Sequence, residues 1–176
     1  MLMQNLVTKN LGHLEEGDRV EPKRRLLEVK RVLAPTDLTP DGRKAVEYAV
    51  ALAEHFSARL TLLSVYEIPT TGDDAWMFGC VVDLCRKNAQ MALDAFCEEI
   101  KKEYPKTDSV LRCGVPAEEI ISVAEDLDID LIVISTHNCG WFSRLIQGSD
   151  AEQVLRHAPC PTLIVRQEEH DFVATD

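Results

Sequence analysis

A candidate phosphate-binding loop lies between Ile132 and Gln153, in the stretch IVISTHNCGWFSRLIQGSDAEQ, where an apolar run leads through a polar loop into a helical pattern. A loop of this layout can hold a phosphate, because the first N–H groups of a helix and its dipole attract anions. Such loops place glycines where the backbone approaches the ligand. Here the strand ends at Ser135 and the turn contains Asn138, and Gly148 precedes the helix.

The same stretch has a structural explanation without a ligand. Ser149 followed by Glu152 forms the S-x-x-E capping box, which starts a helix in any case. His137 can be a loop histidine with its own hydrogen-bond partners. Asp150 lies in the first helical turn and competes for the positive end of the helix dipole. We therefore predict that a triphosphate is held weakly here or not at all.

Composition limits the classes of partner. The chain has 19 lysines and arginines against 30 aspartates and glutamates, a net charge of −11 at pH 7, and such a surface repels nucleic-acid phosphates and anionic lipids. The N-terminus lacks the pattern of a secretory signal, and no run of about eighteen apolar residues could span a bilayer. We expect a cytoplasmic protein that binds neither nucleic acid nor membrane.

The cysteines and histidines do not form a convincing metal or catalytic motif. The six cysteines contain no C-x-x-C pair and most lie in apolar patterns, so we expect reduced thiols in the core. His137 with Cys139 and His157 with Cys160 suggest a metal site, but the second pair also fits a helix end and a turn. Walker A, G-x-S-x-G and G-x-G-x-x-G sequences are missing. We predict no metal site and no catalytic residue.

Short apolar runs alternate with segments of helical period, which predicts an α/β fold. The runs are apolar along their length, as in parallel strands covered on both faces, so we expect a three-layer α/β/α sandwich. We divide the chain into an N-terminal extension (1–27), one domain (28–168) and a C-terminal tail (169–176). The runs are VKRVLAP, RLTLLSVYEI, DSVLRC, DLIVIST and PTLIVRQ.

The helical segments carry start signals and apolar stripes. The first has Thr39 as N-cap and Pro40 in its first turn, the second should end before Pro105, and the fourth should start at Ser149. The stripes expected to be buried are Ala45, Tyr48 or Ala49, Leu52 and Phe56 in the first helix, Val81, Leu84 or Cys85, Met91, Ala95 and Ile100 in the second, and Ile120, Ala124 and Leu127 in the third.

Three segments resemble the universal stress protein family, namely KRVLAPTDLTPDGRKAVEYAVALA, GVPAEEIISVAEDLDIDLIVISTH and GSDAEQVLRHAPCPTLIVR. The resemblance covers about Val29 to Gln167. It implies an adenine nucleotide alpha hydrolase-like fold with a five-stranded parallel sheet of order 3-2-1-4-5. The strand order then reverses between the first and fourth strands, where ligands bind beyond the carboxyl ends.

The resemblance also implies positions for a nucleotide. Nucleotide-binding members carry a glycine, two residues, a second glycine, nine residues and then Gly-Ser or Gly-Thr. These positions correspond to Ser135, Asn138, Gly148 and Ser149, so the spacing is intact but two of the three glycines are replaced. The larger side chains occupy space that the phosphates would need.

On the adenine side, the resemblance implies that Asp37 accepts a hydrogen bond from the exocyclic amine and that Val65 lies at the exit of the second strand. Pro35 and Thr36 precede Asp37 in the same loop and complete the candidate residues. Structural explanations stay open, because Asp37 can cap the next turn and Val65 can be an ordinary strand valine.

We therefore predict a stress-response regulatory or interaction protein with a degenerate adenine-nucleotide cleft. The alternative is a universal stress protein that binds ATP or AMP and acts as a nucleotide-dependent switch. Hydrolysis ranks last, because the loop supplies neither a positioned base nor a lysine. The last strand is an edge in the implied order, which predicts a homodimer through that strand, and a regulatory protein partner is also possible.

Overall fold

The computed structural model describes residues 27–67, 75–135 and 150–166. Five strands and four helices alternate in this part of the chain, and all strand pairs are parallel in the order β3-β2-β1-β4-β5. The predicted fold class and strand order are confirmed, whereas the extension and tail boundaries stay predictions. The elements are β1 (Arg31–Pro35), α1 (Pro40–Phe56), β2 (Arg59–Tyr66), α2 (Ala75–Glu103), β3 (Thr107–Cys113), α3 (Pro116–Asp126), β4 (Leu131–Ser135), α4 (Asp150–His157) and β5 (Thr162–Val165).

The core consists of two apolar layers, one on each face of the sheet. Successive strand residues point to opposite faces, so Val32 of β1 joins the layer beneath α1 and α2, while Leu33 joins the layer beneath α3 and α4. Because both faces are covered, the strands need apolar residues along their whole length. This requirement explains the unbroken apolar runs of the sequence.

Helix α1 begins and packs as its sequence predicts. The side chain of Thr39 accepts a hydrogen bond from the N–H of Gly42, and Pro40 occupies the first helical position. Ser57 ends the helix in a left-handed conformation, with φ at 56°. The predicted stripe faces the sheet, with Ala45, Tyr48 and Ala49 buried and Leu52 and Phe56 partly buried against the same layer.

Helix α2 packs through a different face from the one predicted, although it does end before Pro105. Leu93, Cys97 and Ile100 are buried, so Ile100 is the one confirmed member of the predicted stripe. Periodicity alone could not select the correct face, because α2 carries apolar residues on two opposite sides. The remaining predicted members are exposed or only partly buried: Val81, Leu84, Cys85, Met91 and Ala95.

Helices α3 and α4 follow the predictions with small differences, whereas the predicted core placement of the cysteines holds only in part. Ile120 and Ala124 of α3 are buried, and Leu127 is partly buried just beyond the helix. Helix α4 is described from Asp150, so the predicted start at Ser149 lies outside the described residues. The four cysteines in the described part are free thiols, but only Cys97 is buried in the core, while Cys85 and Cys160 are partly buried and Cys113 is exposed.

Candidate functional site

The strand order reverses between β1 and β4, and the ladder between these two strands is short. β1 pairs with β2 along five positions, from Arg31 to Pro35, but with β4 only at Val32 and Leu33. The carboxyl ends of β1 and β4 are therefore not joined by a ladder. A crevice at this place is the usual ligand site of open parallel sheets.

Pro35 explains why the β1–β4 ladder stops. In a parallel strand with a neighbour on each side, successive residues direct their backbone N–H and C=O groups to one neighbouring strand and then to the other. The carbonyl of Lys30 accepts from Arg59 and the N–H of Thr36 donates to Leu63, at 2.8 Å each, so even-numbered residues of β1 face β2. Odd-numbered residues therefore face β4, and the next donor toward β4 would be residue 35. Proline has no N–H, so the ladder cannot continue at this position.

The turn after β1 holds Asp37 by hydrogen bonds within the chain. Asp37 Oδ1 accepts from the N–H of Thr39 at 3.1 Å and from its hydroxyl at 2.7 Å. Thr36 is fully buried, and its hydroxyl accepts from the N–H of Leu38 at 3.1 Å. Leu38 adopts φ of 61°, which costs roughly 1 kcal/mol for a residue other than glycine. Thus the structural explanation for Asp37 applies, but it uses only one carboxylate oxygen.

Gly42 allows the carboxylate of Asp37 to lie against the first turn of α1. A Cβ at position 42 would be 2.7 Å from Asp37 Oδ1 and 3.4 Å from Thr36 Oγ1. The missing side chain therefore has a packing role at the site. Gly42 was not among the residues predicted for the site, although a glycine in the first turn of a predicted helix was the available signal.

Val65 contributes its backbone rather than its side chain to the crevice. Its side chain is buried in the layer beneath α3, so the structural explanation applies to it. The carbonyl of Leu63 faces β1, because it accepts from Thr36, and by alternation Val65 faces the same way. Since the β1–β2 pairing ends at Pro35 opposite Leu63, the N–H and C=O of Val65 point past the end of β1.

The phosphate side is described only at its two ends. Ser135 is buried at the end of β4, opposite Val165 of β5, and it has contacts of its own. Asp150 is the first residue of α4. The remaining candidates lie outside the described residues: His137, Asn138, Gly148 and Ser149.

Two cavities of the described residues lie elsewhere. A cavity of about 570 Å³ is lined by Arg31, Arg59 and Asp126 at the amino ends of the strands, away from the reversal. A cavity of about 440 Å³ lies beside α2 and β3 and includes Tyr66 and Arg86. Burial, and then a hydrogen bond with Cys113, raises the pKa of the Tyr66 phenol. Neither cavity involves the crevice between β1 and β4.

Within residues 27–67, 75–135 and 150–166, no group of three or more histidine, cysteine, aspartate or glutamate side chains is arranged to hold a metal ion. No helix among the same residues combines the length and the apolar character needed to cross a membrane.

Comparisons with known proteins give the same family from sequence and from fold. Residues 28–166 match the model of the universal stress protein family. Universal stress protein MJ0531 of Methanocaldococcus jannaschii is 30% identical over 142 residues, which cover 78% of this chain and 82% of that protein.

Solved structures have the same fold. Universal stress protein UspA from Lactobacillus plantarum aligns with a TM-score of 0.67 and 25% identity over 80% of this chain and 100% of that chain. The universal stress protein from Archaeoglobus fulgidus in complex with dAMP gives a TM-score of 0.55 and 20% identity over 79% and 98% of the two chains, a likeness of fold alone. From the family model and the relatives together, the chain belongs to the universal stress protein family.

Proposed function

We propose that this protein is a cytoplasmic stress-response regulator. Its crevice between β1 and β4 accepts adenosine or adenosine monophosphate, and it binds ATP weakly or not at all. The observation that carries the proposal is the hydrogen bonding of the Asp37 carboxylate. One of its oxygens is fixed by Thr39, which orients the carboxylate, and no described residue donates to the other. An oriented acceptor at a strand-order reversal suits a ligand amine.

The adenine side is supported by two kinds of group. Adenine presents an amine donor beside ring-nitrogen acceptors. Asp37 Oδ2 can accept from the amine, and the N–H and C=O of Val65, which point past the end of β1, supply a donor and an acceptor. The solved complex with dAMP belongs to the Archaeoglobus fulgidus protein. It supports the view that this fold has room for a nucleoside monophosphate that carries adenine.

The phosphate side opposes a triphosphate. Ser135 and Asn138 stand where nucleotide-binding members have glycines, and their side chains reduce the space for phosphates. Asp150 is the first residue of α4, and an aspartate in the first turn of a helix competes with an anion for the positive end of the helix dipole. Each phosphate added to the ligand increases the repulsion. We therefore expect affinity to fall from adenosine or AMP to ATP.

We propose no catalytic role. Phosphoryl transfer depends on bound metal ions, cationic groups on the phosphates and a positioned base or water. The loop offers a serine and an asparagine at the glycine positions and no lysine. Weak ATP hydrolysis is the less favoured alternative, and a nucleotide-dependent switch is the competing function of the same crevice.

Calorimetric titration of ATP, AMP and adenosine into the purified protein tests the proposal. We expect AMP or adenosine to bind at least about tenfold more tightly than ATP, a difference of about 1.4 kcal/mol. Combining Ser135→Gly with Asn138→Gly should strengthen ATP binding by about tenfold or more, because it restores backbone access to the phosphates. Asp37→Ala is the control and should weaken all three ligands alike.

ATP binding by the unmodified protein at low micromolar strength, about −8 kcal/mol, would contradict the proposal and favour the nucleotide switch. Asp37→Ala without effect on adenosine binding would contradict the adenine assignment.

We also propose self-association through β5, which is an edge of the sheet. The N–H of Ile132 donates to the carbonyl of Pro161, so by alternation Thr162 and Ile164 direct their backbone groups outward. Unpaired edge groups are suited to pairing with a second copy around a two-fold axis. Such a pair leaves other surfaces available for a regulatory protein partner.

Ile164→Pro removes an outward N–H and leaves the β4–β5 bonds in place. We expect this variant to have half the molecular mass of the unmodified protein by light scattering, with an unchanged far-UV spectrum. A monomeric unmodified protein at micromolar concentration, or an unchanged mass in the variant, would rule out the β5 pairing.

A further inference from the structure

The side of α2 that faces away from the sheet is apolar. Val81, Leu84 and Met91 are exposed by 41%, 59% and 71%, and they are half of the six large apolar side chains exposed in the described part of the chain. The buried side of the same helix carries Leu93 and Cys97. With 3.6 residues per turn, the two sets lie on roughly opposite sides of the helix. This outer side, which we call the α2 seam, therefore cannot contribute to the domain core.

The spacing within the α2 seam is that of a coiled coil. Its members alternate three and four residues apart, as a and d positions do. Asn88 falls on an a position, where a polar residue helps to fix the register of a coiled coil at a cost in stability. The five members are all exposed: Val81, Leu84, Asn88, Met91 and Ala95.

The flanking charges favour one arrangement of two such helices. Lys87 and Asp94 are both exposed and occupy g positions of this heptad, and Gln90 donates to Asp94 Oδ1 at 2.8 Å, which orients that carboxylate. In an antiparallel pair, g positions face g positions, so Lys87 meets the partner's Asp94 twice around the two-fold axis. In a parallel pair, g faces e, and Lys87 would meet Ala92.

We propose that the α2 seam binds a second copy of this chain, with the two α2 helices antiparallel. Met91 then packs beside the partner's Asn88, and Leu84 packs against the partner's Ala95. The apolar spacing supplies the attraction, and the Lys87–Asp94 pairs select the orientation. A seam this short is expected to give weak and reversible association. The contact is independent of the crevice and of the β5 edge.

Charge exchange between two variants tests the α2 seam. Lys87→Glu and Asp94→Lys, each alone, place like charges opposite each other, and each should weaken self-association at least about tenfold in sedimentation velocity experiments. An equimolar mixture of the two variants should associate again, because every pair in the mixed dimer is of opposite charge. Misfolded variants could not regain association in this way.

Two backgrounds and a control isolate this contact. The measurements are made in the unmodified chain and in Ile164→Pro, where pairing through β5 is removed. Arg86→Glu changes an exposed charge on the same helix outside the seam and should leave the mass unchanged. Equal masses for the unmodified chain and both single variants overturn the proposal. So does a mixture that stays dissociated.

Discussion

Leu93→Ala is expected to lower the free energy of unfolding by about 3 kcal/mol. Leu93 is completely buried in the layer between α2 and the sheet. Truncation of a fully buried leucine removes its transfer free energy and leaves a cavity, which together cost about 2–5 kcal/mol. For a domain of this size, the melting temperature should fall by roughly 6–12 °C. Urea unfolding followed by circular dichroism gives the free energy directly.

Met91→Ala is the matched control on the same helix. Met91 is 71% exposed, so its truncation should change the free energy of unfolding by less than about 0.5 kcal/mol. The comparison is best made in the Lys87→Glu background, because self-association through Met91 would make stability depend on protein concentration. If Met91→Ala lowered the free energy of unfolding more than Leu93→Ala, the buried face predicted from periodicity would be favoured. That result would contradict the observed packing of α2.

Gly42→Ala is expected to destabilise the protein by about 2 kcal/mol, although alanine normally stabilises a helix by about 1 kcal/mol relative to glycine. The new Cβ would lie 2.7 Å from Asp37 Oδ1, so the carboxylate must leave its two bonds to Thr39. Hydrogen bonds to a charged group contribute about 1.5–3 kcal/mol each. Adenosine affinity should fall in parallel, because Asp37 loses its orientation.

The double variant Asp37→Ala with Gly42→Ala separates this contact from a general effect on α1. Once the carboxylate is removed, the Cβ at position 42 has room and the helical preference for alanine returns. We expect a coupling free energy of about 1.5 kcal/mol or more between the two sites in a double-mutant cycle. Additive effects, or stabilisation by Gly42→Ala alone, would show that the close approach of Asp37 Oδ1 to position 42 does not affect stability.

Much of the fold could be predicted from the sequence, because the main signals are local. The unbroken apolar runs indicated parallel strands, and Thr39 with Pro40 marked the start of α1. The order of the strands could not be predicted from local signals, because periodicity does not reveal it. Only the family resemblance implied it. The face of α2 could not be predicted, because Leu84 and Leu93 both continue a helical apolar pattern and only packing against the sheet distinguishes them.

The candidate site divides in the same way. Through the family resemblance, the sequence indicated the loop of Pro35, Thr36 and Asp37 and the two implied glycine positions that Ser135 and Asn138 occupy. It could not show that Pro35 lacks an N–H on the side of β1 next to β4, because the direction of a backbone group depends on how neighbouring strands pair.

By itself, the sequence determined which chemical groups are present: an acidic chain, a carboxylate after the first strand, and bulkier residues at two positions where the family resemblance implies glycines. The tertiary structure decided what those groups can reach. It joined one oxygen of Asp37 to Thr39, directed the backbone of Val65 past the end of β1, and left one apolar side of α2 exposed. The physical reason is that residue type and spacing are local, whereas burial and direction depend on partners far along the chain.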